Sequence, residues 1–405
     1  MSAYLGFALR NRHLLAFGAF TAVLSGFGQT FYIGLFNTEF RQDFGLSHGE
    51  LGLAYGAATL TAGLVLGHLG RLYDRIDLRL FLTAAACILA SGCGLLAGAQ
   101  GLMGLVAALF MLRLGGQGLM SHIAMTTTAR HFHEGRGKAL SIAGLGFPIA
   151  EALFPAAAVG FLTVLSWRAL WAGSAAVVLL GFLPLLWWLL GRPHGPDTQA
   201  QSNQSPAADR TLGEVRRDWR FALLVPATLV APFVATVVFF HQIPLAHAKG
   251  WSTELVAWGL GAFAFGHIAG LLGGGLLVDR WAASRVFVPA LLPILLSMGV
   301  LALIDAPWAS LAWPGLLGLG LGASVTAVSA LLAELYGVTH LGAIRGLLHA
   351  LMVVSTAIGP PLFGWLLDQG LATEAIAVIL AIGIAAAALS SGIALRDYTK
   401  AVAGT

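Results

Sequence analysis

The chain has 405 residues, of which 58% are hydrophobic and 10% charged, and its mean hydropathy is +0.84. Soluble domains hold about 45–50% apolar and about 25% charged residues, so this composition excludes an ordinary water-soluble fold. The 22 basic residues exceed the 18 acidic ones, and in a chain this apolar that surplus reflects membrane topology and anionic headgroups, not nucleic acid binding.

Twelve apolar segments follow one another, predicted at 14–36, 50–70, 80–98, 102–126, 138–165, 169–191, 220–246, 254–277, 286–304, 308–335, 343–367 and 372–395. Each is near or above the ~20 residues that cross a bilayer as helix. With both termini inside, eighteen of the 22 basic residues fall on the inner loops and tails. Three (Arg41, Arg168, Lys249) fall outside, and Arg113 lies within a segment. That asymmetry fits the positive-inside rule and places both termini in the cytoplasm.

The first segment carries Gln29, Thr30, Tyr32 and Asn37, unlike the short apolar core of a cleaved signal, so it is expected to stay as the first span. A mixed-charge outer loop, Glu39 to His48, is expected to lie at the interface. Ser47 with Glu50 forms a capping box that starts segment 2. In that segment Gly52 and Gly56, then Gly63 and Gly67, are spaced for close helix approach, and Gly266, Gly270 and Gly274 repeat the pattern in segment 8. Segment 2 ends in Gly70-Arg71-Leu72-Tyr73-Asp74-Arg75, and segment 8 ends in Gly275-Leu276-Leu277-Val278-Asp279-Arg280. The two Gly-x-Leu-x-Asp-Arg copies are 205 residues apart, and Ser47 and Ser252 share that offset, so the chain is a duplication. It divides into an N-terminal bundle (1–191), a polar Pro/Gly-containing flexible linker (192–219) and a C-terminal bundle (220–405). Asn203 begins a glycosylation sequon, but on the inner side. The fold class is therefore an all-α membrane protein of two pseudo-symmetric six-helix bundles.

Cys87 and Cys93 lie six apart in segment 3 and face different ways, which excludes a disulfide or a metal pair. Segments 4 and 5 carry the clearly mid-membrane charges, Arg113 and Glu151. An isolated Arg at bilayer centre costs roughly 2.5–3.5 kcal/mol on insertion scales, so Arg113 needs a cavity or a partner. The two residues share a depth on consecutive helices, which permits an ion pair, and Gln117 lies one turn from Arg113. Two roles are open: Arg113 as counter-ion for an anionic substrate with Glu151 as a proton-binding carboxyl, or a permanent pair that ties two helices. Among the histidines, His122 is expected to face away from Arg113. His241 and His267 are either second proton sites or helix–helix hydrogen-bond partners. His131 and His133, in a loop, make no metal site. Prolines at depth in segments 5 (Pro148, Pro155) and 11 (Pro360, Pro361) predict bent, equivalent helices.

Two six-helix halves, a polar linker and the doubled Gly-x-Leu-x-Asp-Arg resemble the major facilitator superfamily of secondary transporters, over the whole chain. The resemblance implies alternating access, with Gly70, Asp74, Arg75, Gly275, Asp279 and Arg280 as gating residues. Asp74 would meet the start of segment 11 (Gly342 to Arg345), and Asp279 the start of segment 5 (Gly135 to Lys138, with Arg136). An anion at a helix N-terminus is worth about 0.3–1 kcal/mol, enough to bias such a cycle. Glu334 and Arg345 are a further gate pair. Arg113 followed by Gln117-Gly118 is similar to the fourth-helix pattern of proton-coupled antiporters, departing from it by one residue in spacing. By the same resemblance helices 1, 4, 7 and 10 line the substrate path, with Gln29, Thr30, Tyr32, Arg113, Gln117, His241, Gln242, Ser324 and Thr326 as polar candidates. A looser likeness to bacterial monocarboxylate carriers points to proton-coupled movement of a small organic anion, although their buried helix-8 arginine is replaced here by His267 in that region. The alternative is a proton-driven exporter of lipophilic drugs or lipids. No catalytic or nucleotide-binding motif is present, so neither an enzyme nor a primary pump is expected. No cofactor or metal is expected either, and the protein is expected as a monomer in the bacterial inner membrane, its partners being protons, substrate and lipid.

Overall fold

A computed structural model describes residues 2–73, 75–132, 135–191, 210–337 and 339–403. Asp74, His133 and most of the linker (192–209, with Asn203) lie outside the described residues. Every regular element among the described residues is helical. Among the described residues eleven helices are long and apolar enough to cross a membrane, and one bent pair, taken as a single span, makes twelve. The chain separates into two compact units, Met1–Ser202 and Asn203–Thr405.

In the first unit, span 1 is broken. Arg12–Gly28 and Thr30–Phe44 meet at an angle of 42°. The hinge is Gln29, whose backbone is extended (φ −85°, ψ 152°) after a 3-10 turn over Ser25–Gly28. The break lies where Gly28 is pressed against span 4: a Cβ on Gly28 would sit 2.1 Å from the Leu112 carbonyl, and one on Gly116 2.6 Å from the Gly28 Cα. Two glycines thus let the backbones touch, and the contact is incompatible with any larger side chain. The stretch expected as an interfacial loop is instead helical to Phe44 and ends at Gly45 in a left-handed conformation (φ +64°). Its aromatic residues explain this, since Phe40 is buried against Trp167 (ring centroids 5.2 Å apart). Span 2 (His48–Gly70) begins with the expected capping box, Ser47 and Glu50. Spans 3 to 6 are Leu78–Gly98, Leu102–His131, Arg136–Leu162 and Trp167–Leu190. Of the two cysteines in span 3, Cys87 is exposed and Cys93 buried, so they do face apart.

The second unit holds spans 7 to 12: Trp219–Phe240, Thr253–Trp281, Ala283–Leu303, Ala309–Tyr336, Leu341–Asp368 and Thr373–Tyr398. Its tightest seam joins spans 8 and 10. A Cβ on Gly266 would lie 2.1 Å from the Gly315 carbonyl, one on Gly270 2.1 Å from that of Leu319, and one on Gly318 2.1 Å from that of Phe263. The glycine stripe of segment 8 therefore packs as expected, whereas Gly67 in the matching stripe of segment 2 has nothing within 4 Å of its Cβ position.

The linker is shorter than the sequence implies. Leu212–Arg217 is a helix with its own capping box, Thr211 and Glu214. Arg210 donates its backbone N–H to the Tyr336 carbonyl (3.1 Å) and its guanidinium to Asp218 (2.9 Å). Tyr398 donates to the same Asp218 carboxylate (2.8 Å), and Arg220 pairs with Asp397 (2.6 Å). These partners come from spans 10 and 12, so residues 210–219 belong to the second unit and are no free tether. Hydrophilic composition missed them because a buried anchor such as Val215 is a single apolar residue in a polar run.

Candidate functional site

The break in span 1 coincides with an irregularity in span 4. Residues Arg113–Met120 form a π-helical stretch, a form that recurs at functional sites because it redirects side chains. Arg113 opens it and is 2% exposed. Its Nε–H donates to Thr59 Oγ1 (3.1 Å), and its Nη1 donates to the Gly28 carbonyl (3.0 Å) and to Thr30 Oγ1 (3.5 Å). The guanidinium lies 5.0 Å from the centre of the Tyr55 ring, and the Tyr55 hydroxyl shares a 2.6 Å hydrogen bond with Thr30. The turn at Gln29 interrupts the hydrogen-bond ladder of span 1, and Arg113 takes up the Gly28 carbonyl at that point. All these partners are neutral. Nη2 makes none of these hydrogen bonds.

Glu151, 8% exposed in span 5, is not among the partners of Arg113, so the ion pair that equal depth permits is not made. Depth along a helix does not set rotation about it, and Arg113 is turned towards spans 1 and 2. Span 2 supplies two residues that sequence reading did not single out, Tyr55 and Thr59. They lie four apart, hence on one helix face, but the same segment also carries Thr61 and His68, so the spacing alone did not single them out.

The other candidates are scattered. Gln29 is half-buried at the hinge, and Gln117 is half-buried in the π-helical stretch. Tyr32 is 2% exposed in an aromatic cluster with Phe27, Phe154 and Trp171, at centroid distances of 5.6, 5.7 and 5.2 Å. In the second unit His241 is 1% exposed and its Nε2–H donates to the Pro360 carbonyl (3.1 Å), a helix–helix bond between spans 7 and 11. His267 is half-buried against Phe263 (5.7 Å). Ser324 in span 10 is 3% exposed and its hydroxyl has no hydrogen-bond partner. His122 packs edge-on against Tyr73 (5.4 Å), away from Arg113 as expected.

At the predicted inner ends, Asp74 is outside the described residues. Tyr73 is buried between spans 3 and 4, against Phe81 (5.3 Å), and shares a 2.7 Å hydrogen bond with Thr127. Arg130 lies 4.8 Å above the Tyr73 ring, and a Cβ on Gly70 would come within 3.8 Å of His122. Gly275 has open space at its Cβ position, and Arg75, Arg136, Asp279, Arg280 and Arg345 are exposed. The Glu334–Arg345 pair is not formed. Glu334 accepts from the Ala283 N–H (2.9 Å) and the Ser284 hydroxyl (2.5 Å), capping the start of span 9, while Arg345 donates to the Ser329 carbonyl (3.1 Å). A helix start with unpaired N–H groups competes better for a carboxylate than an exposed guanidinium does. Among the described residues no cluster of His, Cys, Asp and Glu is arranged to hold a metal ion.

Comparison with known proteins agrees with this architecture. The chain is similar to a bacterial homologue of the human lysosomal transporter Spinster in an inward-facing, unoccupied conformation (TM-score 0.66, 16% identity, 96% of each chain). It is also similar to the nucleoside transporter NupG (TM-score 0.71, 12% identity, 94% of this chain and 99% of that one). At such identities the likeness concerns the fold. An uncharacterised MFS-type transporter of Mycobacterium tuberculosis is 29% identical over 157 residues, 39% of this chain, and the match spans 23% of that relative's length. The Major Facilitator Superfamily profile matches residues 18–252 and 235–403, and with twelve helical spans in two units the chain belongs to that family of transporters, and not to the enzymes.

Proposed function

We propose that this secondary transporter moves a small organic anion together with protons, with Arg113 as the substrate's counter-ion. The observation that carries the reading is a buried guanidinium whose partners are hydroxyls, a carbonyl and a ring face. A charge so placed is uncompensated by the protein, and an anion arriving at Nη2 would supply what is missing. The site stands at a helix discontinuity, which is where transporters of this kind expose backbone to a substrate. Glu151, a carboxyl buried within span 5, is the proposed proton carrier. His267 is a second candidate, and Ser324, with its unpartnered hydroxyl, a further substrate contact. Asp74 and Asp279, with Arg136 and Arg345, serve as the gates of the cycle, in a monomer in the bacterial inner membrane with both ends in the cytoplasm.

A second reading, proton-driven export of lipophilic compounds, draws on the aromatic cluster around Tyr32. One experiment separates the two. Purified protein is placed in liposomes with a pH-sensitive dye inside, and carboxylates or lipophilic cations are added outside. Proton movement that accompanies carboxylates and disappears in Arg113→Gln and Glu151→Gln supports anion coupling. A response confined to lipophilic compounds, and indifferent to Arg113→Gln, overturns it in favour of export.

A further inference from the structure

At the predicted outer end of each unit a basic residue, one or two acidic residues and a tryptophan join the end of the unit's first hairpin to the neighbouring helices. In the first unit Arg168, at the start of span 6, pairs with Asp43 (3.3 Å). It also donates to the carbonyls of Ala97 (3.2 Å) and Ala99 (2.7 Å), where span 3 ends. Trp167 donates its Nε1–H to Asp43 (3.1 Å) and lies under the Arg168 guanidinium at 4.3 Å. In the second unit Lys249, in the loop between spans 7 and 8, pairs with Asp305 beyond span 9 and with Glu374 at the start of span 12 (3.6 Å). Trp251 donates to the Asp305 carbonyl (2.8 Å) and lies 5.8 Å from the Lys249 ammonium.

The positions correspond. Asp43 and Lys249, Ala99 and Asp305, and Arg168 and Glu374 are each 206 residues apart, one more than the offset of the doubled motif. The hairpin position is acidic and the start of span 6 basic in the first unit, and both signs are inverted in the second. Chance surface pairs have no reason to recur at matching positions with both members exchanged. What the duplication has kept is the bond and not the residues.

We propose that these are equivalent clasps, each fixing the outer end of its unit's first hairpin to the ends of spans 3 and 6, or 9 and 12, so that these four helices of the unit move as one body during alternating access. Burial differs between them. The Asp43 and Arg168 side chains are 41% and 34% exposed, whereas that of Lys249 is 1% exposed and those of its partners Asp305 and Glu374 are 75% and 44% exposed. In the second clasp the cation is the buried member, and a buried ammonium is stable only while its carboxylates stay in place.

The test exchanges polarity and needs no substrate. Spin labels are placed through His247→Cys and Ala372→Cys in a Cys87→Ala background, and their distance distribution is measured in the purified full chain in detergent. Lys249→Met is expected to broaden the distribution and lower the melting temperature by roughly 5 °C. The triple change Lys249→Asp, Asp305→Ala and Glu374→Arg rebuilds the first unit's clasp in the second, and is expected to restore the narrow distribution. A merely space-filling role would not respond to polarity in this way. The reciprocal pair Asp43→Lys and Arg168→Glu provides the same comparison in the first unit should the triple variant fail to fold. A distribution unchanged by Lys249→Met, or exchanged-polarity variants as loose as the single one in both units, would overturn the proposal.

Discussion

The two units solve one packing problem in opposite ways. At the 205-residue offset of the doubled motif, Arg113 in span 4 corresponds to Gly318 in span 10. In the second unit Gly318 brings span 10 onto the Phe263 carbonyl, and the seam is backbone on backbone. In the first unit Arg113 reaches instead across to Thr59 and Gly28, and span 1 is broken where it arrives. Duplication thus preserved a frame while one copy kept a close-packed seam and the other turned the same level into a polar, irregular centre. A glycine seam is rigid because any added atom meets a carbonyl at about 2 Å, as at Gly266 and Gly270. A guanidinium held only by neutral partners has no counter-charge from them, which is what the proposed anion site requires.

Breaking the seam should have the largest effect. Gly270→Leu places a side chain against the Leu319 carbonyl, and the loss, several kcal/mol beyond the usual overpacking cost of about 1–3 kcal/mol, is expected to abolish the folded protein in detergent size-exclusion profiles. Next comes Arg113→Met. If the first unit is built around a binding charge, carboxylate-driven proton uptake should fall more than about tenfold, a change of about 1.4 kcal/mol, while thermal stability changes little, because removing a buried unpaired charge offsets the lost hydrogen bonds. A large fall in melting temperature with transport per folded molecule intact would instead make Arg113 a brace. Gly28→Ala sharpens the comparison further: its Cβ would meet the Leu112 carbonyl at 2.1 Å, so it should destabilise the first unit by about 1–3 kcal/mol and move Arg113 off the hinge, read as lower stability together with weaker transport.

The smallest effect belongs to the start of the second unit. Thr211→Ala removes the cap of helix Leu212–Arg217 and should cost about 1 kcal/mol, seen as faster amide exchange at Val215. Hydrogen bonds from the Thr211 backbone N–H and hydroxyl hold the Glu214 carboxyl below the usual carboxylate range. Its contribution is therefore complete above the ordinary Glu value and is lost as pH falls through the lowered one. Protection of that helix should drop only in acid, and Glu214→Gln should remove the acid dependence.

Much of the fold was legible in the residues. Apolar length marked the spans, Ser47-x-x-Glu50 the start of span 2, and the repeated Gly-x-Leu-x-Asp-Arg the duplication. The glycine stripe of segment 8 was read correctly, while Gly67 at the end of the segment 2 stripe meets no neighbour, because spacing shows that a helix can be approached closely but not where a neighbour approaches. The candidate site was half legible. A charge in an apolar run has to be accounted for, so Arg113 stood out, while Tyr55 and Thr59 were hidden because single hydroxyls are common in spanning helices.

By itself the sequence determined whatever local free energies dictate: transfer of about twenty apolar residues into lipid, capping of a helix start, and the basic bias of one side. Only the tertiary structure decided which way each polar side chain turns. Arg113 and Glu151 share a depth yet make no pair, Glu334 leaves Arg345 for a helix start, and Asp43 and Lys249 hold equivalent places with opposite charge. Such choices depend on helix rotation and on neighbours far away in the chain, and a buried polar group takes whichever partner that packing brings within hydrogen-bond reach.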